Sequence, residues 1–478
     1  MDRHKTKGQP KELQKSLKNR HIQLIAIGGA IGTGLFMGSG RTISLAGPSI
    51  LLVYTIAGVA LFFFMRCMGE MFLAKPNMRS FVDIANTYMG PWGGVLLAWT
   101  YWLCWTGVCV ADMVAITGYF RFWWPEIPVW LPVLGTIILL FTLNSLTVKA
   151  FGETEFWFSM IKIVAIIALI LIGLGLVAAG HTGEDGMRAA VSNLWSHGGF
   201  FPNGMVGFLT GFQIAIFAFA GVELVGTTVA ESENPQRSLP KAINSIPIRI
   251  IIFYVGALSV IMMVNPWDVI DPETSPFVTM FAAAGLPAAA GIINLVVITS
   301  AASSANSGVF STSRMIFGLS RSGEAPKIFG KLSRYHVPQN ALLLTAAMSL
   351  VSIVVMEFGG SIMEAFILVT STASVLFMSV WAMITYCYII YRKREPEVHA
   401  KATFKAPGGS ISAVLVLIFF AVITVILIFS DDTRIGMISA IIWLVVVGTI
   451  SYIRQRSGRM HVIHDLSLPL KEETATEH

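Results

Sequence analysis

Gly28-Gly29-Ala30-Ile31-Gly32-Thr33-Gly34 lies inside the first long apolar stretch of the chain, where a membrane-spanning helix should be most regular. Four of the seven residues are glycine, and each costs about 1 kcal/mol relative to alanine inside a helix, so the run predicts a break at mid-membrane. Unwound backbone is tolerated at that depth only where protein buries it or where it lines a wet cavity. The freed N–H groups that open the second half-helix then favour an anion. The stretch predicts a solute pathway that recognises a carboxylate.

The rest of the chain places that break in a membrane. Of 478 residues, 55% are apolar and only 13% charged, and the mean hydropathy is +0.71, outside the range of soluble globular proteins. Apolar runs long enough to cross a hydrocarbon core of about 30 Å recur from end to end. They predict an all-α integral membrane protein of about twelve spans, at roughly 22–46, 49–72, 93–120, 128–148, 156–179, 205–229, 243–264, 286–314, 340–357, 363–391, 411–430 and 435–454. No soluble domain fits between them. The start of the chain is basic and lacks a cleavage site after a short apolar core, so the first span is expected to stay in the mature protein.

Alternate loops differ in charge. One side gathers Arg321, Lys327, Lys331, Arg334 and the Arg392-Lys393-Arg394 run, whereas the other holds Arg41, Arg121, Arg188 and Arg434 with Asp268, Asp271 and Glu273. The basic side is expected to be cytoplasmic and to carry both the 1–21 tail and the 455–478 tail. The net charge of +6 is then a topology signal answered by lipid headgroups, and no basic face interleaved with aromatics suggests nucleic acid. Cys67, Cys104, Cys109 and Cys387 fall inside apolar spans without metal-ligand spacing, so neither a disulfide framework nor a metal site is expected. No cofactor and no obligate protein partner is implied.

The sixth span repeats the anomaly of the first in Gly211-Phe212-Gln213-Ile214-Ala215-Ile216-Phe217-Ala218-Phe219-Ala220-Gly221-Val222-Glu223. Two interrupted spans about five helices apart predict two five-helix units, 22–179 and 205–391, inverted because an odd number of crossings flips the second copy. The helices of 411–454 are then appended. Glycine also serves close packing in membrane helices, but an acid at the corresponding place favours a functional break. Amides around Ile31, Gly32, Thr33 and Gly34 suit a carboxylate. Carbonyls left open around Phe217, Ala218 and Phe219 suit an ammonium group. A solute with both charges on one carbon satisfies both breaks. A β-branched side chain at Gly32 is expected to block the backbone's approach to the carboxylate, whereas Gly173 in the uninterrupted fifth span is expected to tolerate one.

Lys162 sits about two turns into the fifth span. It either snorkels back to the interface or places its ammonium inside the bundle beside the broken helix, where it would carry a proton through the cycle. Ser300, Ser303, Ser304, Ser307 and Ser311 share one helical face, with Ser303, Ser304 and Ser307 deepest, and serve as interhelical glue or as solute contacts. Arg66 and Glu70, four apart, are expected to pair. Asp112 has no local cation and must find an interior partner or be protonated, with a gating role as the alternative. Trp99, Tyr101, Trp102 and Trp105 wall the pocket or supply packing bulk.

At these residues a family likeness enters. Asn19-Arg20-His21 ahead of the glycine run, and Ala230-Glu231-Ser232-Glu233-Asn234-Pro235 after the sixth span, closely resemble bacterial amino acid permeases of the amino acid–polyamine–organocation superfamily. The likeness covers about residues 19 to 455 and is densest in Ile22 to Gly40, Ser238 to Arg249 and Thr299 to Met315. It implies a LeuT-type fold, with two inverted five-helix repeats and two added helices, in the bacterial cell membrane. The implied activity is proton-driven import of small neutral amino acids: D-alanine, D-serine, glycine and L-alanine, with D-cycloserine. Relatives on the same scaffold carry aromatic, basic or branched amino acids, or exchange one for another. The implied substrate site is Ala30, Ile31, Gly32, Thr33, Gly34, Phe217, Ala218, Phe219, Gly221 and Glu223, with Lys162 in the place of sodium. Ser303, Ser304, Ser307, Tyr101 and Asp112 are the candidate pocket or gate residues. No enzyme is expected, because the histidines fall outside the spans and no nucleophile–base pair is present.

Overall fold

A computed structural model describes residues 31–78, 80–145, 148–183, 186–227, 234–333 and 337–458. The 1–21 tail, the first half of the first span through Ala30, the Ala230–Glu233 segment and the end of the C-terminal tail from 459 lie outside the described residues. Described secondary structure is helical apart from one isolated bridge between Thr182 and Arg188.

Among the described residues nine helical stretches, from Gly38–Ala74 to Asp431–Arg456, are long and apolar enough to cross a membrane. Two shorter apolar helices, Trp130–Ser145 and Gly204–Ala218, stand where the fourth and sixth spans are expected. Gly38–Ala74 takes in the second half of the first span and all of the second, and it is broken at Gly47, whose φ of +57° only glycine adopts readily. The seventh span starts earlier than expected, at Pro235 after Asn234, because proline at the first helical position loses no hydrogen bond. Within it Ile250–Gly256 is a π-helix, a local widening that often marks a functional site. The 81–89 helix was not expected. It is nucleated by a capping box in which Asp83 N–H donates to Ser80 Oγ (3.3 Å) and Ser80 N–H to Asp83 Oδ2 (3.1 Å).

The Pro91–Arg121 helix runs through the middle of the bundle, and the long Pro287–Arg321 and Ile362–Arg394 helices pack along it. Its most apolar window is 83% buried against 22% in Glu153–Ala179 and Asp431–Arg456, which separates the core helix from the rim. On the rim, Ile411, Leu415, Ile418, Val422, Val425 and Phe429 form an exposed stripe along one helix face. Acyl chains cover such a stripe at no cost, so outward apolar residues carry no penalty here.

The expected Arg66–Glu70 pair is not made. Glu70 is fully buried and accepts from Tyr388 Oη (2.8 Å) and Ala406 N–H (2.7 Å), with His399 Nδ1 on its other oxygen. Arg66 turns to Asn244 Oδ1 (2.9 Å) and the Lys405 carbonyl, with its guanidinium over the Phe404 ring. Helical i,i+4 proximity is weak beside several tertiary partners that would otherwise stay unpaired. Glu70 thereby ties the second span to the tenth and to the loop that follows it. Glu70→Ala is expected to cost about 3 kcal/mol or more by stranding the buried Tyr388 hydroxyl and Ala406 N–H and the half-buried His399. A thermal melt of detergent-solubilised protein checks this, and Arg66→Ala is expected to be milder.

Candidate functional site

Gly32 is extended (φ −130°, ψ −162°), and its carbonyl accepts from Leu35 N–H (3.2 Å) and Phe36 N–H (3.3 Å), which opens the helix at Thr33–Phe36. The N–H groups of Gly32, Thr33 and Gly34 find no acceptor among the described residues. They are the orphan donors of a helix start. The carbonyl of Ile31, one residue earlier, accepts from Lys162 Nζ (3.1 Å) and Ser300 Oγ (3.3 Å).

The sixth span stops being helical at Ala218, turns through 219–223 with Gly221 at φ +98°, and resumes at Leu224–Thr227. The carbonyls expected to be open here each have one partner. Phe217 O accepts Ala220 N–H (2.9 Å), Phe219 O accepts Val222 N–H (3.2 Å), and Ala218 O accepts Tyr254 Oη (2.9 Å). The tight turn itself supplies the first two donors, and the π-helix of the seventh span supplies the third. Each oxygen keeps its second lone pair. Glu223 folds back on the turn, taking Gly221 N–H on Oε2 (3.1 Å) and Tyr101 Oη on Oε1 (3.3 Å).

The two breaks touch. A Cβ added at Gly34 would sit 2.5 Å from Ala218 Cα and 2.8 Å from Ala218 N, both backbone atoms. Gly32 does not fit the expectation placed on it: its φ suits any residue, and an added Cβ would make ordinary contact with Ser304, at 3.4 Å from Oγ and 3.7 Å from Cβ. Gly173 is not the tolerant position either, since its Cβ would lie 2.1 Å from Val260 Cγ1, whereas Gly175 has open space.

Lys162 does not snorkel. It is buried (1% exposed), and its amine reaches inward to the first break. Asp112 has found its interior partner, accepting from Thr33 Oγ1 at 2.7 Å. Ser304 and Lys162 stand near the same carboxylate. Ser303 donates its hydroxyl to Glu155 Oε2 (2.8 Å), and Ser307 stands by the same group. Ser304 is the serine beside Gly32.

Glu155 is the member the sequence reading missed. It lies one residue ahead of the expected fifth span, where an acid reads as a boundary. Its spacing of seven from Lys162 was the available signal, since two helical turns put both on one face. Tyr254 gave no signal, being one aromatic residue in an apolar run.

A cationic amine and three carboxyl groups thus surround two touching helix breaks inside a membrane bundle, with open amides on one side and spare carbonyl lone pairs on the other. Residues 21–464 match the family model for amino acid permeases. The chain belongs to the amino acid permease family. It is 54% identical over 436 residues to the D-serine/D-alanine/glycine transporter of Escherichia coli K12, covering 91% of this chain and 93% of that protein. An amino-acid permease of Bacillus subtilis is 47% identical over 451 residues, covering 94% and 97%. The DL-alanine permease of Lactococcus lactis is 42% identical over 445 residues, covering 92% and 96%. The permease is accordingly a multi-pass protein of the cell membrane that carries amino acids.

The contact between breaks gives a prediction that uncharged side chains test. Gly34→Val is expected to cost about 1–3 kcal/mol or abolish assembly, because backbone cannot give way as a side chain can. Gly32→Ala and Gly175→Val are expected to stay within about 0.5–1 kcal/mol of the parent. Melting and monodispersity of the solubilised variants provide the check, and a normal Gly34→Val would mean that the breaks are not packed so closely.

Proposed function

We propose that the permease imports small neutral amino acids, D-alanine, D-serine, glycine and L-alanine foremost, by symport with protons. The observation that carries this reading is the buried Lys162 ammonium donating to the Ile31 carbonyl at the first break. A carrier that uses a metal cation would place it against such carbonyls; a lysine amine puts a charge there that loads and releases a proton instead. The substrate carboxylate meets the Gly32, Thr33 and Gly34 amides, and its ammonium group meets the spare lone pairs of Phe217, Ala218 and Phe219. Tyr101 and Glu223 keep the second break in shape. Thr33, Asp112 and Ser304 lie along the first. Two relatives are named for D-serine, D-alanine and glycine and for DL-alanine, which supports a small side chain. In this reading 22–179 and 205–391 are the inverted repeats, and both tails are cytoplasmic.

Proteoliposomes loaded at high internal pH and diluted into acid buffer test the proposal with labelled D-alanine. Accumulation is expected without sodium, and glycine, D-serine and L-alanine should compete while lysine, tryptophan and glutamate compete poorly. Amidation of the substrate carboxylate should remove recognition. Strong competition by lysine, or a requirement for counter-substrate inside the vesicles, would redirect the assignment to another substrate class or to exchange.

Lys162→Ala is expected to lower the accumulation ratio at least tenfold while D-alanine binding to solubilised protein persists. Undiminished accumulation by Lys162→Ala would remove the lysine from the coupling step.

A further inference from the structure

One buried network of side chains joins Lys162 to the fourth and eighth spans. Glu155 is 2% exposed and Lys162 1%, two turns apart on one face of the fifth span and close enough to interact electrostatically. From the eighth span, Ser303 Oγ donates to Glu155 Oε2 (2.8 Å) and Asn306 Nδ2 to Oε1 (2.7 Å). From the fourth, Asn144 Nδ2 donates to Asn306 Oδ1 (2.7 Å) and to its own Leu140 carbonyl (3.0 Å), which fixes the orientation of Asn306. Ser303, Asn306 and Asn144 are buried as well.

We propose that Glu155 is a positioning residue for Lys162: its carboxylate, clamped by Ser303 and Asn306, holds the lysine ammonium against Ile31 and couples its protonation to the packing of the fourth, fifth and eighth spans. This rests on the reading of Lys162 as the proton-carrying group. A lone ammonium at this depth is costly, and a fixed carboxylate beside it with both oxygens hydrogen-bonded makes the charged form tenable. Asp112 of the Pro91–Arg121 helix also stands near Lys162, and it is anchored on Thr33 of the first break. Loss of the proton removes the attraction between Lys162 and Glu155. The carboxylate then keeps Ser303 and Asn306, and Ile31 keeps Ser300. The hold of the fifth span on the first break loosens, while that on the eighth remains. Such a switch between two discrete arrangements is what links proton movement to a conformational step.

The test is the pH profile of D-alanine uptake and of counterflow by Glu155→Gln, beside the parent and Lys162→Ala. Glu155→Gln is expected to keep counterflow, to lose gradient-driven accumulation about tenfold, and to move its uptake profile about one unit toward acid, since removing a neighbouring carboxylate lets the amine discharge at lower pH. Glu155→Asp should restore part of the accumulation. If Glu155→Gln does not yield monodisperse protein, Ser303→Ala, which removes one donor to the carboxylate, is expected to move the profile in the same sense by less. An unchanged profile with full accumulation in Glu155→Gln, or in Ser303→Ala where that variant is the one measured, would overturn the proposal while leaving the role of Lys162 standing. Full accumulation in Lys162→Ala would remove the reading beneath it.

Discussion

Backbone that leaves the helix inside a hydrocarbon layer has no water to turn to, so every freed N–H and C=O must be answered by protein or by cargo. That constraint selects the neighbours of both breaks. Ile31 O is answered by Lys162 and Ser300, Ala218 O by Tyr254 from a π-helix, and Gly221 N–H by Glu223. These partners come from the fifth, eighth and seventh spans and from the turn itself. The bundle is in this sense arranged around two short pieces of irregular chain. The amides of Gly32, Thr33 and Gly34 stand apart, since no described residue accepts from them.

The same scarcity of water governs the charges. Glu70, Asp112, Glu155, Lys162 and Glu223 are all buried, and each bonds to groups from other parts of the chain. Glu70 is spent on joining the second span to the loop after the tenth, far along the chain from either break. The other four lie around the breaks and contact them directly or through one another. Charge inside this membrane protein therefore has two uses, structural tie and site electrostatics, and the partners separate them where the bare sequence could not.

Much of this was legible because polar signals stand out against an apolar background. The glycine run at 28–34 and the small residues ahead of Glu223 in the sixth span announced the breaks, and Lys162, Asp112 and Glu223 announced themselves as charges in spans. What stayed hidden depended on contact. Glu155 sat at the edge of an apolar run, where an acid looks ordinary, and Asn144 and Asn306 are neutral side chains whose meaning comes only from pairing across three spans. Arg66 and Glu70 looked like a local pair because a sequence shows neighbours at four residues but not Tyr388, His399 or Asn244. The glycines teach the same lesson. By sequence Gly32 resists a larger side chain and Gly173 accepts one, yet Gly32 faces a serine hydroxyl, Gly34 the backbone of the other break and Gly173 a valine methyl.

The contact of Gly34 with Ala218 bears on how a solute site can work here. Because backbone meets backbone, neither break can shift by ångströms without carrying the other, and interiors packed to this density respond by moving between arrangements rather than by deforming. The ends proposed to meet a carboxylate and an ammonium would therefore travel as one body. Side chains of the third span (Asp112 and Tyr101), the fifth (Lys162), the seventh (Tyr254) and the eighth (Ser300) reach this body. In the proposed symport Lys162 is the side chain that sets a positive charge against a break carbonyl, so it is at the fifth span that a proton would alter the grip.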